Sequence, residues 1–264
     1  MVKTMKYVIK SNQYLGNLVD QVERFIKAIE AYCFPNYYEE VLLPLDKYLK
    51  QKEDEIVNIL MVMLKTLNYQ NYNDIIRNFT NELNNVLVII KEDVVAFKKG
   101  DPSCLDIKEI ILAYPTFKAI FIYRFAHVLY QNKVHIIPRL MNEYAHRISG
   151  VDINSGAKIG SGFFIDHGTG VVIGETSVIG KNVRIYQGVT LGASSLSKGS
   201  KLKGTKRHPT IKNNVIIYAN SAILGGDTVI GNNVIIGANC FLTHSVCDNQ
   251  IVKNTLTNNI FEKK

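Results

Sequence analysis

The stretch VDINSGAKIGSGFFIDHGTGVVIGETSVIGKNVRIYQGVTLG, residues 151–192, decides the fold. Ile153, Ile159 and Ile165 stand six residues apart, and after a two-residue insertion Ile173, Ile179, Ile185 and Leu191 resume the same step. The period returns at Ile211, Ile217 and Ile223, slips by one, and continues at Ile230, Ile236 and Leu242. Side chains on one face of a strand recur about every two residues and those of a helix about every 3.6, so this spacing fits neither alone. It fits a solenoid in which each hexad is one short strand and one turn, with three hexads to a triangular coil. Each aliphatic then points into a narrow prism and stacks on the coils above and below. Small or β-branched residues follow four positions on, as at Ala157, Ser177, Val183, Val189, Val215, Ser221, Val234 and Cys240. Glycine and asparagine take corners that call for positive φ. The pattern is that of a parallel β-helix, and its phase argues against an antiparallel sandwich of short strands.

Upstream the pattern is helical. Leu18, Val22, Phe25, Ile26 and Ile29 recur at three-to-four spacing, as do Ile56, Ile59, Leu60 and Met63. Asp101-Pro102 punctuates the chain, and Tyr114 to Tyr130 reads as a helix whose Phe117, Ile120, Phe121, Tyr123 and Phe125 are dense enough to be packed on both sides. Glycine, valine, isoleucine and asparagine take over from Gly150. The expected organisation is α+β: a helical domain over residues 1–148, a β-helix over 149–247 with an inserted loop at 193–208, and a tail over 248–264.

Composition excludes several classes. The 264 residues are 47% hydrophobic and 20% charged, ordinary globular usage that excludes disordered and fibrous chains. The formal charge of +8 suits a nucleic acid, a membrane surface or an anionic small molecule equally. The most apolar stretch, Ala119 to Tyr130, is broken by Arg124 and His127, so no membrane span is expected. The basic start lacks the apolar core of a signal peptide, and the expectation is a cytoplasmic protein. Cys33, Cys104, Cys240 and Cys247 form no CxxC pair and read as inert thiols. His135, His146 and His244 lack ligand spacing, so no metal is implied.

Chemistry is expected where the repeat breaks, because insertions emerge at solenoid corners. The first break, Ile165-Asp166-His167-Gly168-Thr169-Gly170, puts an acid and an imidazole at a turn. A lone histidine is usually structural, yet His167 lies outside the aliphatic phase and can face a cleft. Counting three hexads per coil brings Asp152 toward it, and a carboxylate accepting from Nδ1–H would leave Nε2 as a general base. The second break, Ala193 to His208, carries Lys198, Lys201, Lys203, Lys206 and Arg207. It reads either as a solvated basic loop or as an attractor for a phosphorylated cofactor or a carboxylate. GSKLKGTK lacks the Gly-Lys-Ser/Thr ending and the strand-to-helix context of a phosphate loop, which rejects nucleotide hydrolysis. Without interleaved aromatics, nucleic acid is disfavoured too.

The chain resembles serine O-acetyltransferase, of the hexapeptide-repeat acyltransferase superfamily. The resemblance runs over about Gly100 to Val246 through Asp101-Pro102, Tyr123-Arg124-Phe125-Ala126-His127, Asp152-Ile153, Ile165 to Gly170, Gly174-Glu175-Thr176, Gln187 to Gly192 and Arg207-His208-Pro209. It implies a left-handed β-helix that assembles as a homotrimer or hexamer. It also implies acetyl transfer from acetyl-CoA to the L-serine hydroxyl, giving O-acetyl-L-serine for cysteine biosynthesis. By motif, His167 is the general base and Asp152 its partner, while Asp101, Asp166, Arg207 and His208 line the serine site. Coenzyme A is implied along the groove between prisms, near Gly192, Ala193, Ala219 and Ala238. Asn154-Ser155 stands where the family has His-Pro. The chain ends Ile260-Phe261-Glu262-Lys263-Lys264 rather than in the isoleucine that docks O-acetylserine sulfhydrylase, so that complex is not implied. The competing readings are a hexapeptide acetyltransferase for another acceptor such as a sugar, and a non-catalytic β-helix scaffold.

Overall fold

The computed structural model describes residue 15, residues 17–194 and residues 204–255. Helices come first: α1 (Leu18–Cys33), α2 (Leu45–Thr66), α3 (Tyr72–Gly100), α4 (Ile107–Ala113), α5 (Pro115–Gln131) and α6 (Ile136–Ser149). The helix-phased residues of α1 and α2 face inward: Val22, Phe25, Ile26, Ile29, Ile56, Leu60 and Met63 are all buried. In α5 nearly every side chain from Phe117 to Leu129 is buried, which accounts for its density of aromatics. Among the described residues no helix is long and apolar enough to cross a membrane.

Strands of two or three residues follow, stacked into three parallel sheets. The first sheet holds β1 (Asp152–Ile153), β4 (Val172–Ile173), β7 (Thr190–Gly192), β10 (Ala222–Leu224) and β13 (Phe241–Leu242). The second holds β2 (Lys158–Ile159), β5 (Val178–Ile179), β8 (Thr210–Ile211) and β11 (Val229–Ile230). The third holds β3 (Phe164–Ile165), β6 (Arg184–Ile185), β9 (Ile216–Ile217), β12 (Ile235–Ile236) and β14 (Ile251–Val252). Register follows the hexads: Ile153, Ile173, Leu191, Ile223 and Leu242 form one column down the first sheet. Each such side chain is withdrawn from water, a gain of about 1.5–3 kcal/mol apiece that sustains strands too short to stand alone.

The corner between the second and third sheets is an asparagine ladder. Asn182, Asn214, Asn233 and Asn249 all have φ between 57° and 62°. Their side-chain amides bond coil to coil at 3.2, 3.0 and 2.8 Å. Asparagine tolerates the left-handed region and repays its cost with that amide. The coils also run past residue 247, where the sequence pattern ended them: β14 lies in the expected tail. Gly237 N–H donates to the Val252 carbonyl at 2.8 Å. The exposed Ile251 beside a half-buried Val252 hides the hexad signal there.

Helices and coils are clamped together by the Tyr123–His127 segment. Tyr123 Oη donates to the Ala157 carbonyl at 2.6 Å. Arg124 meets the buried Asp93 of α3 through Nε and Nη2 at 2.9 and 3.0 Å, and reaches the Gly160 carbonyl at 2.7 Å. Asp93 in turn accepts from Phe163 N–H at 2.9 Å. Asn154-Ser155 is part of the same joint: Asn142 Nδ2 donates to Ser155 Oγ at 2.6 Å, and His127 Nδ1 meets the Ser155 carbonyl at 2.7 Å. The sequence motif around Arg124 is therefore structural, and it sets the first coil against the helices.

Candidate active site

The corner joining the third sheet to the first carries residues 166–171 in its first coil. His167 sits there at φ 56°, a left-handed conformation that costs a histidine about 1–2 kcal/mol. Gly168 follows at φ 80°, and a Cβ on it would lie 2.3 Å from Thr116 Cγ2 of α5, so this turn requires glycine. The His167 side chain is 70% exposed, with Nδ1 3.8 Å from Asp166 Oδ1. Across from it the chain leaving α3 brings Asp101 into the same cleft, about 550 Å³, which Ser103, Tyr114, Thr116, Asp166 and His167 also line. Asp101 is held by Tyr114 Oη at 2.5 Å and by Ser103 N and Oγ at 2.8 and 2.7 Å. These donors, Tyr114 foremost, hold its carboxyl below the usual carboxylate range. The cleft thus presents anionic groups beside an exposed imidazole, a setting for an ammonium group next to a hydroxyl. We call this the open corner.

The corner joining the first sheet to the second is the opposite case. Here Gly174 to Ser177 lies directly above the return of the inserted loop at Lys206 to Pro209. Arg207 Nη2 pairs with Glu175 Oε2, and Tyr130 Oη of α5 donates to Glu175 Oε1 at 2.9 Å. His208 is buried at 8% exposure, and its Nδ1 accepts from Thr176 N–H at 3.0 Å. Burial, reinforced by the charges of Arg207 and Lys206, lowers its pKa to about 4. Lys206 Nζ caps the Thr176 and Pro209 carbonyls at 2.8 and 3.1 Å and also meets the His208 carbonyl. It therefore serves the loop's own structure and is not the loose cation the basic run suggested. Lys198, Lys201 and Lys203 lie outside the described residues, as do residues 256–264 with the terminal Ile260.

No family model matches the chain. A serine acetyltransferase encoded on a plasmid of Synechococcus elongatus is 46% identical over 145 residues, 54% of this chain and 46% of that protein. The chain spans about half the length of the curated relatives it matches. Among solved structures, serine acetyltransferase isoform 3 of Entamoeba histolytica, in complex with cysteine, superposes with a TM-score of 0.83 at 34% identity. That match covers 91% of this chain and 84% of the other. The chain belongs to the serine acetyltransferase family. Its architecture is the family's helical domain followed by a left-handed parallel β-helix. A Neisseria gonorrhoeae serine acetyltransferase in complex with serine matches over 93% of this chain with a TM-score of 0.62 and 26% identity.

Measured against the serine acetyltransferase motifs, the residues divide between the two corners. Asp101, Asp166 and His167 meet at the open corner. Asp152 is joined to that corner by its backbone, N–H to the Val171 carbonyl at 2.9 Å. Among the described residues its carboxylate makes no hydrogen bond or ion pair, so the expected Asp152–His167 contact is not made here. Asp152 leaves the coil at the start of β1, whereas His167 projects from the left-handed apex of the turn. Arg207 and His208 do not line the Asp101 cleft, because they occupy the other edge of the first sheet. The small residues expected along the coenzyme A groove divide likewise: Ala219 and Ala238 lie below His167, with Asn239 N–H on the Ala219 carbonyl at 2.9 Å, while Gly192 and Ala193 lie on the Arg207 corner. Sequence reasoning missed Ser103, Tyr114 and Tyr130 and gave Glu175 and Thr176 no role. The Asp101-Pro102-Ser103 turn was the available signal for Ser103, since an aspartate commonly accepts from the backbone two residues on. Among the described residues no group of three or more His, Cys, Asp or Glu side chains is placed to hold a metal ion.

Proposed function

We propose that the chain transfers the acetyl group of acetyl-CoA to the hydroxyl of L-serine, giving O-acetyl-L-serine for cysteine biosynthesis. The observation that carries this reading is the convergence of Asp101, Asp166 and His167 on one cleft, supported by membership of the serine acetyltransferase family. The carboxylates suit the ammonium of an amino acid. His167 Nε2 takes the hydroxyl proton as the serine oxygen attacks the thioester carbonyl. The tetrahedral intermediate collapses, expelling the coenzyme A thiolate, which recovers the proton from His167. General-base catalysis of this kind is worth about 10²–10⁴ in rate. Asp152 is the proposed partner of His167, closing on Nδ1 in the ternary complex, because catalytic hydrogen bonds often tighten only when substrates are bound.

Arg207 and His208 serve the same site from a second copy of the chain. Side-by-side packing of prisms in a trimer sets the open corner of one copy against the closed corner of the next, with Ala219, Ala238, Gly192 and Ala193 along the groove for coenzyme A. The test is thiol release from acetyl-CoA with L-serine and with sugars as acceptors, for the wild type and His167→Ala. Serine-dependent release lost in the variant supports the reading. Release with a sugar alone overturns the substrate, and the absence of release with every acceptor overturns the activity.

A further inference from the structure

Gly174-Glu175-Thr176 is a motif to which the reaction assigns no part, yet it contacts both residues of the closed corner. Thr176 Oγ1 accepts from Arg207 N–H and His208 N–H at 2.9 and 3.1 Å and lies 2.9 Å from His208 Nδ1. With both lone pairs engaged, the hydroxyl hydrogen is directed to Nδ1. The Thr176 backbone N–H, which can only donate, also points to Nδ1, at 3.0 Å. Two donors on one ring nitrogen leave no place for a proton there, so the ring carries its hydrogen on Nε2. Among the described residues Nε2–H has no hydrogen-bond partner. The ring itself lies against Gly174, where a Cβ would fall 2.2 Å from Nε2. Glu175 meanwhile holds the Arg207 guanidinium and is fixed by Tyr130, and Gly156 leaves the room for that pair: a Cβ there would lie 2.7 Å from Glu175 Cγ and 2.9 Å from Tyr130 Oη.

We propose that Gly174-Glu175-Thr176 is a positioning element that presents Arg207 as a fixed cation and His208 as an Nε2–H donor to the carboxylate of the acceptor amino acid. Thr176 acts through His208 and Glu175 through Arg207. This rests on the acetyltransferase reading for the identity of the ligand, and on this chain's own hydrogen bonds for the tautomer. The groups facing His208 agree with it: Arg207 and Lys206 on its own segment disfavour the imidazolium, and Glu175 from the coil before opposes them without prevailing.

The test begins with ring ¹⁵N spectra of the full chain carrying labelled histidine, with His208→Gln to identify the His208 signals. The expected result is an unprotonated Nδ1 and a protonated Nε2, unchanged from about pH 6 to about pH 8. A proton on Nδ1, or an imidazolium appearing in that interval, overturns the proposal. Because this measurement needs no turnover, it decides the tautomer even if the acetyltransferase reading fails in the thiol-release assay. Kinetics then test the role. Gln places an amide nitrogen near the Nε2 position and Asn places one near Nδ1, so His208→Gln should keep kcat/KM for L-serine about tenfold above His208→Asn. Thr176→Val should raise KM for L-serine about tenfold while leaving KM for acetyl-CoA at the wild-type value. Equal losses in the two His208 variants, or a Thr176→Val effect falling equally on both substrates, contradict the role.

Discussion

The two corners that border the first sheet are built from the same repeat and finished in opposite ways. At the open corner His167 is exposed and left-handed, with Nδ1 at a loose 3.8 Å from Asp166 Oδ1. At the closed corner His208 is buried, and its Nδ1 and backbone N–H are both bonded to Thr176. The difference suits the roles proposed for the two imidazoles. A ring that must exchange protons needs access and an unoccupied nitrogen, whereas a ring that only orients a ligand gains from being locked. Strain is stored at the first, and hydrogen bonds are concentrated at the second.

The contrast can be broken or sharpened by substitution. The largest effect is expected for His167→Ala, which should lower kcat for serine acetylation by about 10²–10⁴ while thermal unfolding stays cooperative. Asp101→Asn removes the charge offered to the ammonium and should raise KM for L-serine about tenfold with a smaller change in kcat, read from steady-state kinetics. Away from both sites, Asn214→Ala at φ 59° should destabilise the coils by about 1–2 kcal/mol in denaturant titration, and Asn214→Gly by less. His167→Gly should abolish turnover yet unfold at equal or higher denaturant, a gain of up to about 1 kcal/mol from relief of the left-handed histidine.

The two corners also separate by pH. His208 is held near pKa 4 against an ordinary value of 6.5, so between these limits the unfolded chain binds a proton that the folded chain does not. Its contribution to stability is fully present above about pH 6.5 and is lost as pH falls toward about 4. His208→Gln should flatten the decline of stability over that window. A decline of the same slope in wild type and variant would show that His208 is not held neutral by the fold.

The β-helix was legible because each coil repeats one constraint: an aliphatic must enter the prism every sixth residue, as from Ile153 to Leu191. His167 was legible for the complementary reason, since two extra residues at its corner interrupt that constraint. The supports of the site were not. Tyr114 reaches Asp101 from thirteen positions along the chain, and Tyr130 reaches Glu175 from forty-five. Thr176 meets His208 across thirty-two residues that include the inserted loop. No periodicity encodes such meetings, because they depend on how α5 lies against the first coil and on where the loop rejoins it. The separation of the candidate residues was hidden for the same reason: Asp101, His167, Arg207 and His208 share a motif set, but only the stacking order shows that they occupy two edges of one sheet.

The proposed site is complete only where the two corners meet between copies of the chain. The direct measurement is co-expression of His167→Ala with Arg207→Ala under different tags, purification of assemblies carrying both, and assay of serine-dependent thiol release. Each variant alone is expected to be nearly inactive, and no single chain in the mixture holds both residues. A site shared between neighbours predicts recovery to about one third of wild-type activity, because every mixed trimer has one of its three interfaces pairing an intact His167 with an intact Arg207. Mixed assemblies that form and stay inactive would contradict it.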